Sequence, residues 1–392
     1  MLIPISNTPR DYSWGSTDLI ARLQGREPTG SPEAEIWYGD HPGDPSDVVG
    51  AGGGTLDAAL SAAGEPRLPF LLKLLAAGSS LSIQAHPTRA QAREGFAREE
   101  AAGIPRDAAD RLYRDDNHKP EVIVALSDEF RALVGIRDLA ATRRLIAALG
   151  DGPALTRLDG LLAGDDPERA VRGALEWALT EATPADVEEL TGDLARATDA
   201  EFAPEIEALR TAASDFPGDR GLFVALLMNL VVLHRGEALF APAGVLHAYQ
   251  SGLGVELMAA SDNVLRGGLT PKHVDVPELL RVLDPTVGPA PLVAPRAVSS
   301  RAGETGAAAE FAPPVPDFAL TRVELAGDPV AVQLRGAAIV LATAGEVSVE
   351  DGDERVALAP GDAVYVGGGV REVVLAGAGE AFVAQPGALV EA

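Results

Sequence analysis

The sequence predicts a mainly β fold interrupted by an all-α insertion. Two observations lead there. Residues 1 to about 135, and those from about 318 onward, are made of short apolar runs broken by Gly and Pro. In the later stretch apolar and polar residues alternate with the period of a strand. Between these regions, from about 138 to 215, the composition turns to Ala, Leu, Glu and Arg at helical spacing. A third observation limits the alternatives: 46% hydrophobic and 23% charged residues in a chain of 392 is globular composition. At roughly 150 residues per domain, two or three domains are expected.

Taken in chain order, residues 81–87 (LSIQAHP) alternate as a strand does, so Ser82, Gln84 and His86 share one face. The segments LAATRRLIAALG, ERAVRGALEWALTEA and ADVEELTGDLARAT predict amphipathic helices, with Asp166-Pro167 and Thr183-Pro184 as starts. A further helix is expected over 221–233, followed by strand-like sequence over 237–249. The Pro-rich stretch 286–316 reads as a linker or extended crossover. Beyond it, FALTRVEL, AVQLRG, AAIVLAT, GEVSVEDG and DAVYVG read as short antiparallel strands joined by tight turns, hence a small sandwich or barrel. The expected domains are 1–137 with 217–290, a helical insert at 138–216, and a C-terminal β module at 291–392.

Charge narrows the function. Thirty-two basic and 58 acidic residues give −26, a surface that repels phosphate backbones and anionic lipid, so no nucleic-acid or membrane partner is expected. The longest apolar run, 222–233, is short of the ~20 residues that span a bilayer. The N-terminus lacks the pattern of a signal peptide, and cysteine is absent. A cytoplasmic protein is expected, a monomer or weak homodimer, whose metal sites must use His, carboxylates and amides. Only Lys73, Lys119 and Lys272 are lysines; every other basic side chain is arginine. A lysine that persists against such a bias suggests a need for the compact ammonium.

Six histidines are present, and two lie in informative patterns. GEALFAPAGVLH, residues 236–247, fits G-x5-P-x-G-x2-H, the second half of the cupin signature: a strand, a Pro-Gly turn, and a returning strand that aims His247 into a barrel mouth. Gln84 and His86 would supply the first-half pair, and Glu121 the carboxylate. Gln84, His86, Glu121 and His247 together form an all-N/O set suited to Zn²⁺. His41 and His234 read as turn or packing residues. Gly52-Gly53-Gly54 is no phosphate loop, because no Gly-Lys-Ser/Thr follows. The C-terminal module, with no histidine after His273, cannot hold a histidine metal site.

SLSIQAHP, NHKPE, GEALFAPAGVLHAY and SDNVLRGGLTPKHVDV, in this order, resemble the type I mannose-6-phosphate isomerases, as do YSWGS, EIWYGDHP and PFLLKLLAAGSSLSIQ. The resemblance is dense over about 10–135 and 217–280; elsewhere it extends only to position and type. Val122 stands where Met is expected, and Ala260 where Asn is more usual. The resemblance implies cupin-type jelly-roll barrels, one zinc per chain on Gln84, His86, Glu121 and His247, and interconversion of mannose 6-phosphate and fructose 6-phosphate. It also implies an active-site role for Arg266, facing developing negative charge, and a phosphate contact for Lys272. Ser82, Lys73 and Tyr249 are further substrate-contact candidates. Hydrogen transfer between C1 and C2 requires a base, for which Glu256, Asp262 and Lys119 remain open. The competing readings are an isomerase of another sugar phosphate, a sugar-binding cupin without turnover, and an iron cupin dioxygenase.

Overall fold

The computed structural model describes residues 1–50, 52–298 and 308–388; the middle of the Pro-rich stretch, 299–307, and the last residues of the C-terminal module, 389–392, lie outside them. Two ten-stranded sheets carry the architecture. The spine of the first is a thirteen-residue strand, His247–Ala259. Its C-terminal half pairs antiparallel with Phe70–Ala77 and Glu121–Ala125. Its N-terminal half pairs with Phe130–Ile136, and at His247 with Gln84 of Ile83–Ala85. Register shifts between Tyr249 and Ser251, and a bulge of this kind bends a strand. Gly252 follows at φ +114°, where a Cβ would lie 2.8 Å from the Ser127 hydroxyl, so the bend admits no side chain.

The period of two sorts the side chains. Along FLLKLLAA, Phe70, Leu72, Leu74 and Ala76 enter a core shared with Val122, Val124, Val255 and Leu257, and with Ile339, Leu341, Tyr365 and Phe382 of the second sheet. The intervening Leu75 and Ala77 join Ile123, Ala125 and Tyr249 on the opposite face. The other half of the sheet backs onto helices: Ile83, Ala85, Leu133 and Ala248 pack with Leu145, Leu155, Leu190 and Phe223. One face of the bent sheet is thus covered by the second sheet and by the helices; its other face carries the smaller apolar cluster of Leu75 and Tyr249 together with buried polar side chains such as Lys73, Glu121 and Glu256.

Between Leu139 and Asp215 the chain is helical, and its starts are chemically marked. Asp138 and Asp166 accept hydrogen bonds from backbone N–H groups of the first turns, and Thr183 with Asp186 forms a capping box. The expected helix over 221–233 is half wrong. Gly221–Leu227 is helical, but Met228–Leu233 is a strand paired with Phe130–Ile136. An all-apolar run carries no period, and the β-branched Val231 and Val232 favour the sheet that was available to pair. Likewise AAIVLAT and GEVSVEDG are one strand, Ala338–Asp351, bulged between Ala342 and Ala344 instead of turned.

The second sheet also takes in the N-terminus. Leu2–Ser6 pairs with Ala363–Val366, with Leu2 opposite Val366 and Ile5 opposite Ala363. The expected boundary, which put residues 1–137 together, did not anticipate this. Among the described residues no helix is long and apolar enough to cross a membrane.

Candidate metal centre

Cross-strand register aligns the site. Val134, His247, Gln84 and Arg266 stand opposite one another across four neighbouring strands. Directly paired residues point to the same face, so the Gln84 amide, the His247 imidazole and the Arg266 guanidinium leave the sheet side by side. His86 lies two residues beyond Gln84. On the other half of the sheet, Met258 faces Glu121, while Trp37, Lys73 and Glu256 form the adjoining row.

His86, Glu121 and His247 are buried and offer ligand atoms within 4.8 Å of one another. The Nε2 atoms of His86 and His247 are each 3.2 Å from a different oxygen of Glu121. On their far sides, Nδ1 of His86 lies 2.7 Å from the Asn263 carbonyl, and Nδ1 of His247 lies 3.0 Å from that of Val245. A carbonyl only accepts, so both Nδ1 atoms carry the hydrogen and both Nε2 atoms present lone pairs. Neither Nε2 has a hydrogen-bond partner. Two buried lone pairs pointing at one carboxylate repel it unless a cation lies between. The donor set therefore fits a divalent metal that prefers nitrogen and oxygen.

The surrounding charges agree. Burial, then the Lys119 ammonium, pushes His86 down to about 4, so it stays neutral and able to ligate. Burial opposes ionisation of Glu121, but Lys119, which contacts it directly, holds it well below the usual carboxylate range. Lys73 lies between Glu35, at 3.5 Å, and Glu256, at 3.3 Å. Despite burial these carboxylates raise its pKa. Glu256 itself is raised by burial, with Lys73 opposing. Tyr249, buried edge-on to Phe130, is raised by burial and then by the nearby Glu256 carboxylate. Lys73, Glu256 and Tyr249 thus form one buried cluster beside the metal ligands, with the Lys73 charge already matched by two carboxylates.

Arg266, Lys272 and Asp262 define the opposite rim. Arg266 Nε is buried without a partner, and burial with nearby Arg114 lowers the guanidinium pKa. Lys272 is exposed beyond a turn in which its N–H donates to Thr270 Oγ1. Asp262 is exposed, with Oδ1 3.4 Å from His41 Nε2. Burial would raise Asp262, and His41 more than offsets it. Ser82 is half-buried just before the strand Ile83–Ala85 that carries Gln84. Sequence reasoning gave His41 only a packing role and passed over Glu35, Trp37 and Arg114. EIWYGDHP did carry a signal, since Glu35 and Trp37 share a strand face by the same alternation used for Gln84 and His86.

A β protein whose sheet interior presents two histidines and a glutamate to one point is a cupin-type metal-site protein. Residues 2–139 match the model of the phosphomannose isomerase type I catalytic domain, and residues 308–386 that of the mannose-6-phosphate isomerase cupin domain. The chain is 35% identical to the mannose-6-phosphate isomerase of Escherichia coli K12 over 95% of its own length and 96% of the relative's. It is 30% identical to that of Bos taurus, covering 93% of both. A crystal structure of mannose 6-phosphate isomerase from Salmonella typhimurium, bound to fructose 6-phosphate and zinc, superposes with a TM-score of 0.86 at 32% identity, covering 98% of this chain and 99% of that one. The chain belongs to the type I mannose-6-phosphate isomerase family.

Proposed function

We propose that the protein is a zinc-dependent aldose–ketose isomerase interconverting mannose 6-phosphate and fructose 6-phosphate, with one Zn²⁺ held by Gln84, His86, Glu121 and His247. The observation that carries this is the pair of unpartnered Nε2 atoms, each 3.2 Å from an oxygen of Glu121, in a chain 35% identical to a mannose-6-phosphate isomerase along nearly all its length. A bound Zn²⁺ would act as a Lewis acid toward a sugar oxygen.

The remaining work falls to side chains. Arg266, emerging beside Gln84, is placed to meet negative charge that develops on the substrate between C1 and C2. Lys272 holds the phosphate as a compact point charge. Asp262, held low by His41 with Lys119 and Arg114, is suited to accept a carbon-bound proton and return it to the neighbouring carbon; Lys119, an ammonium beside Glu121, would act as the base only from its neutral form. Glu256, drawn toward its protonated form and tied to Lys73 and Tyr249, is suited to hold a proton in place. Ser82 lies one residue before the strand Ile83–Ala85 that carries Gln84. We assign the enzyme to the cytoplasm, as a monomer or weak homodimer.

The test is proton exchange at C2 of mannose 6-phosphate with zinc-loaded protein, before and after chelation. Exchange with appearance of fructose 6-phosphate, lost on chelation and restored by Zn²⁺, is expected. Saturable binding of mannose 6-phosphate without exchange would mean a sugar-binding cupin and overturn the assignment.

A further inference from the structure

In a protein of net charge −26, three cations interact with one another. Among the described residues Arg114, Arg266 and Lys272 enter no ion pair within 4.0 Å, whereas most arginines of the chain do; Arg10, Arg26, Arg89, Arg98 and Arg111 are examples. Their proximity is built in by one side chain. Asn263, fully buried, accepts from the backbone N–H groups of Arg114 (2.7 Å) and Asp115 (3.3 Å), and its amide donates to the carbonyls of Asp115 (2.9 Å) and Asn117 (2.8 Å). It thereby fastens the loop bearing Arg114 to the segment that runs into Arg266. Its own carbonyl orients His86, so the same residue fixes loop and metal ligand together. Burial lowers the pKa of both Arg266 and Lys272, and the neighbouring cations lower it further, Arg114 acting on Arg266, and Arg266 with Arg114 on Lys272, a mutual penalty of cations gathered with no anion between them. Asp262 also feels Arg114, but its nearest partner is His41.

We propose that Arg114 is a specificity-determining residue, a second cation that binds the substrate phosphate with Lys272. The inference rests on the assignment of a sugar phosphate as substrate. A dianionic phosphomonoester has three acceptor oxygens, and a guanidinium fork can engage two of them. The exposed setting of Arg114 limits its effect through solvent screening.

Inorganic phosphate is titrated calorimetrically into zinc-loaded wild type, Arg114→Ala and Arg114→Lys, and mannose 6-phosphate kinetics are measured on the same samples. Arg114→Ala is expected to weaken phosphate binding about fivefold to tenfold and to raise KM by a similar factor with kcat unchanged. Arg114→Lys should recover most of both, and turnover of unphosphorylated mannose should not respond. Unchanged phosphate affinity in Arg114→Ala, or a fall in kcat alone, overturns the proposal. Wild type that binds phosphate through Arg114 but does not isomerise mannose 6-phosphate would leave the cluster standing and remove the assigned reaction.

Discussion

In the site-bearing sheet a turn through Pro242 and Gly244 leads into His247; in the C-terminal sheet a turn through Pro360 and Gly361 leads into Ala363, Val364 and Tyr365. The two turns are alike, but the interiors that follow are opposites. Around the first turn Glu35, Lys73, His86, Lys119, Glu121, His247 and Glu256 are buried. Behind the second lie Val323, Val340, Val349, Val364, Val373 and Leu375. Burying a charge costs several kcal/mol unless it is compensated, and in the first interior the ions are matched: two carboxylates on Lys73, an ammonium on Glu121. The same strand geometry thus supports chemistry in one region and cohesion in the other.

The sharpest way to break this comparison is at the metal. Glu121→Gln and His247→Ala should abolish zinc retention and lower isomerase activity by about three orders of magnitude or more. Elemental analysis should find one zinc per wild-type chain and none held by residues 308–388, so a second tightly bound equivalent there would contradict the contrast. Next in size is stability. Lys73→Met strands two buried carboxylates and should cost about 3–5 kcal/mol in denaturant unfolding. Leu341→Ala, in the core between the sheets, should cost about 2–5 kcal/mol while kcat and zinc content stay the same.

A smaller effect separates chemistry from binding within the site. Arg266→Ala should lower kcat about a hundredfold, because charge on its partner oxygen develops along the reaction path. Lys272→Ala should chiefly raise KM for mannose 6-phosphate, because the phosphate is equally charged in ground and transition states. Equal loss toward mannose and mannose 6-phosphate would remove Lys272 from the phosphate.

The smallest expected effect lies at the edge of the site. Burial would raise Glu278, but hydrogen bonds from Arg281, Tyr113 and Arg98 bring it down to about 2. A carboxylate with a depressed folded pKa stabilises the fold above its unfolded pKa, and that contribution fades as pH falls toward the folded value. Glu278→Gln should therefore cost about 1–2 kcal/mol at neutral pH, with allowance for solvent screening. Its deficit against wild type should shrink between about pH 4.5 and 2; a constant deficit would mean lost packing rather than lost charge.

Much of the metal centre was legible because its signals are local. His86 ends an alternating segment in SLSIQAHP, and His247 follows a Pro-Gly turn at fixed spacing. What escaped was decided by pairing across the chain. Nothing near His41 points to Asp262, and nothing near Arg114 points to Asn263. The run 222–233 shows the same limit in the fold, since uniform apolarity is silent about where helix gives way to strand. Leu2–Ser6 reads as a strand from its own residues, but its partner cannot be read there.

That partner has a temporal consequence. The N–H of Leu2 donates to Glu354 across 352 positions, so during synthesis the first strand is made long before the residues that cover it. At 5–20 residues per second the interval is on the order of 20–70 s, during which Leu2 and Ile3 lack their partners and only Ile5 and Ser6 have an early strand, Asp47–Val48, to pair with. Pro4, midway along the strand and without an N–H, denies neighbouring chains a continuous ladder for that time. Because Ala363–Val366 closes over Leu2–Ser6, the nascent chain cannot complete its second sheet until those later residues have been made.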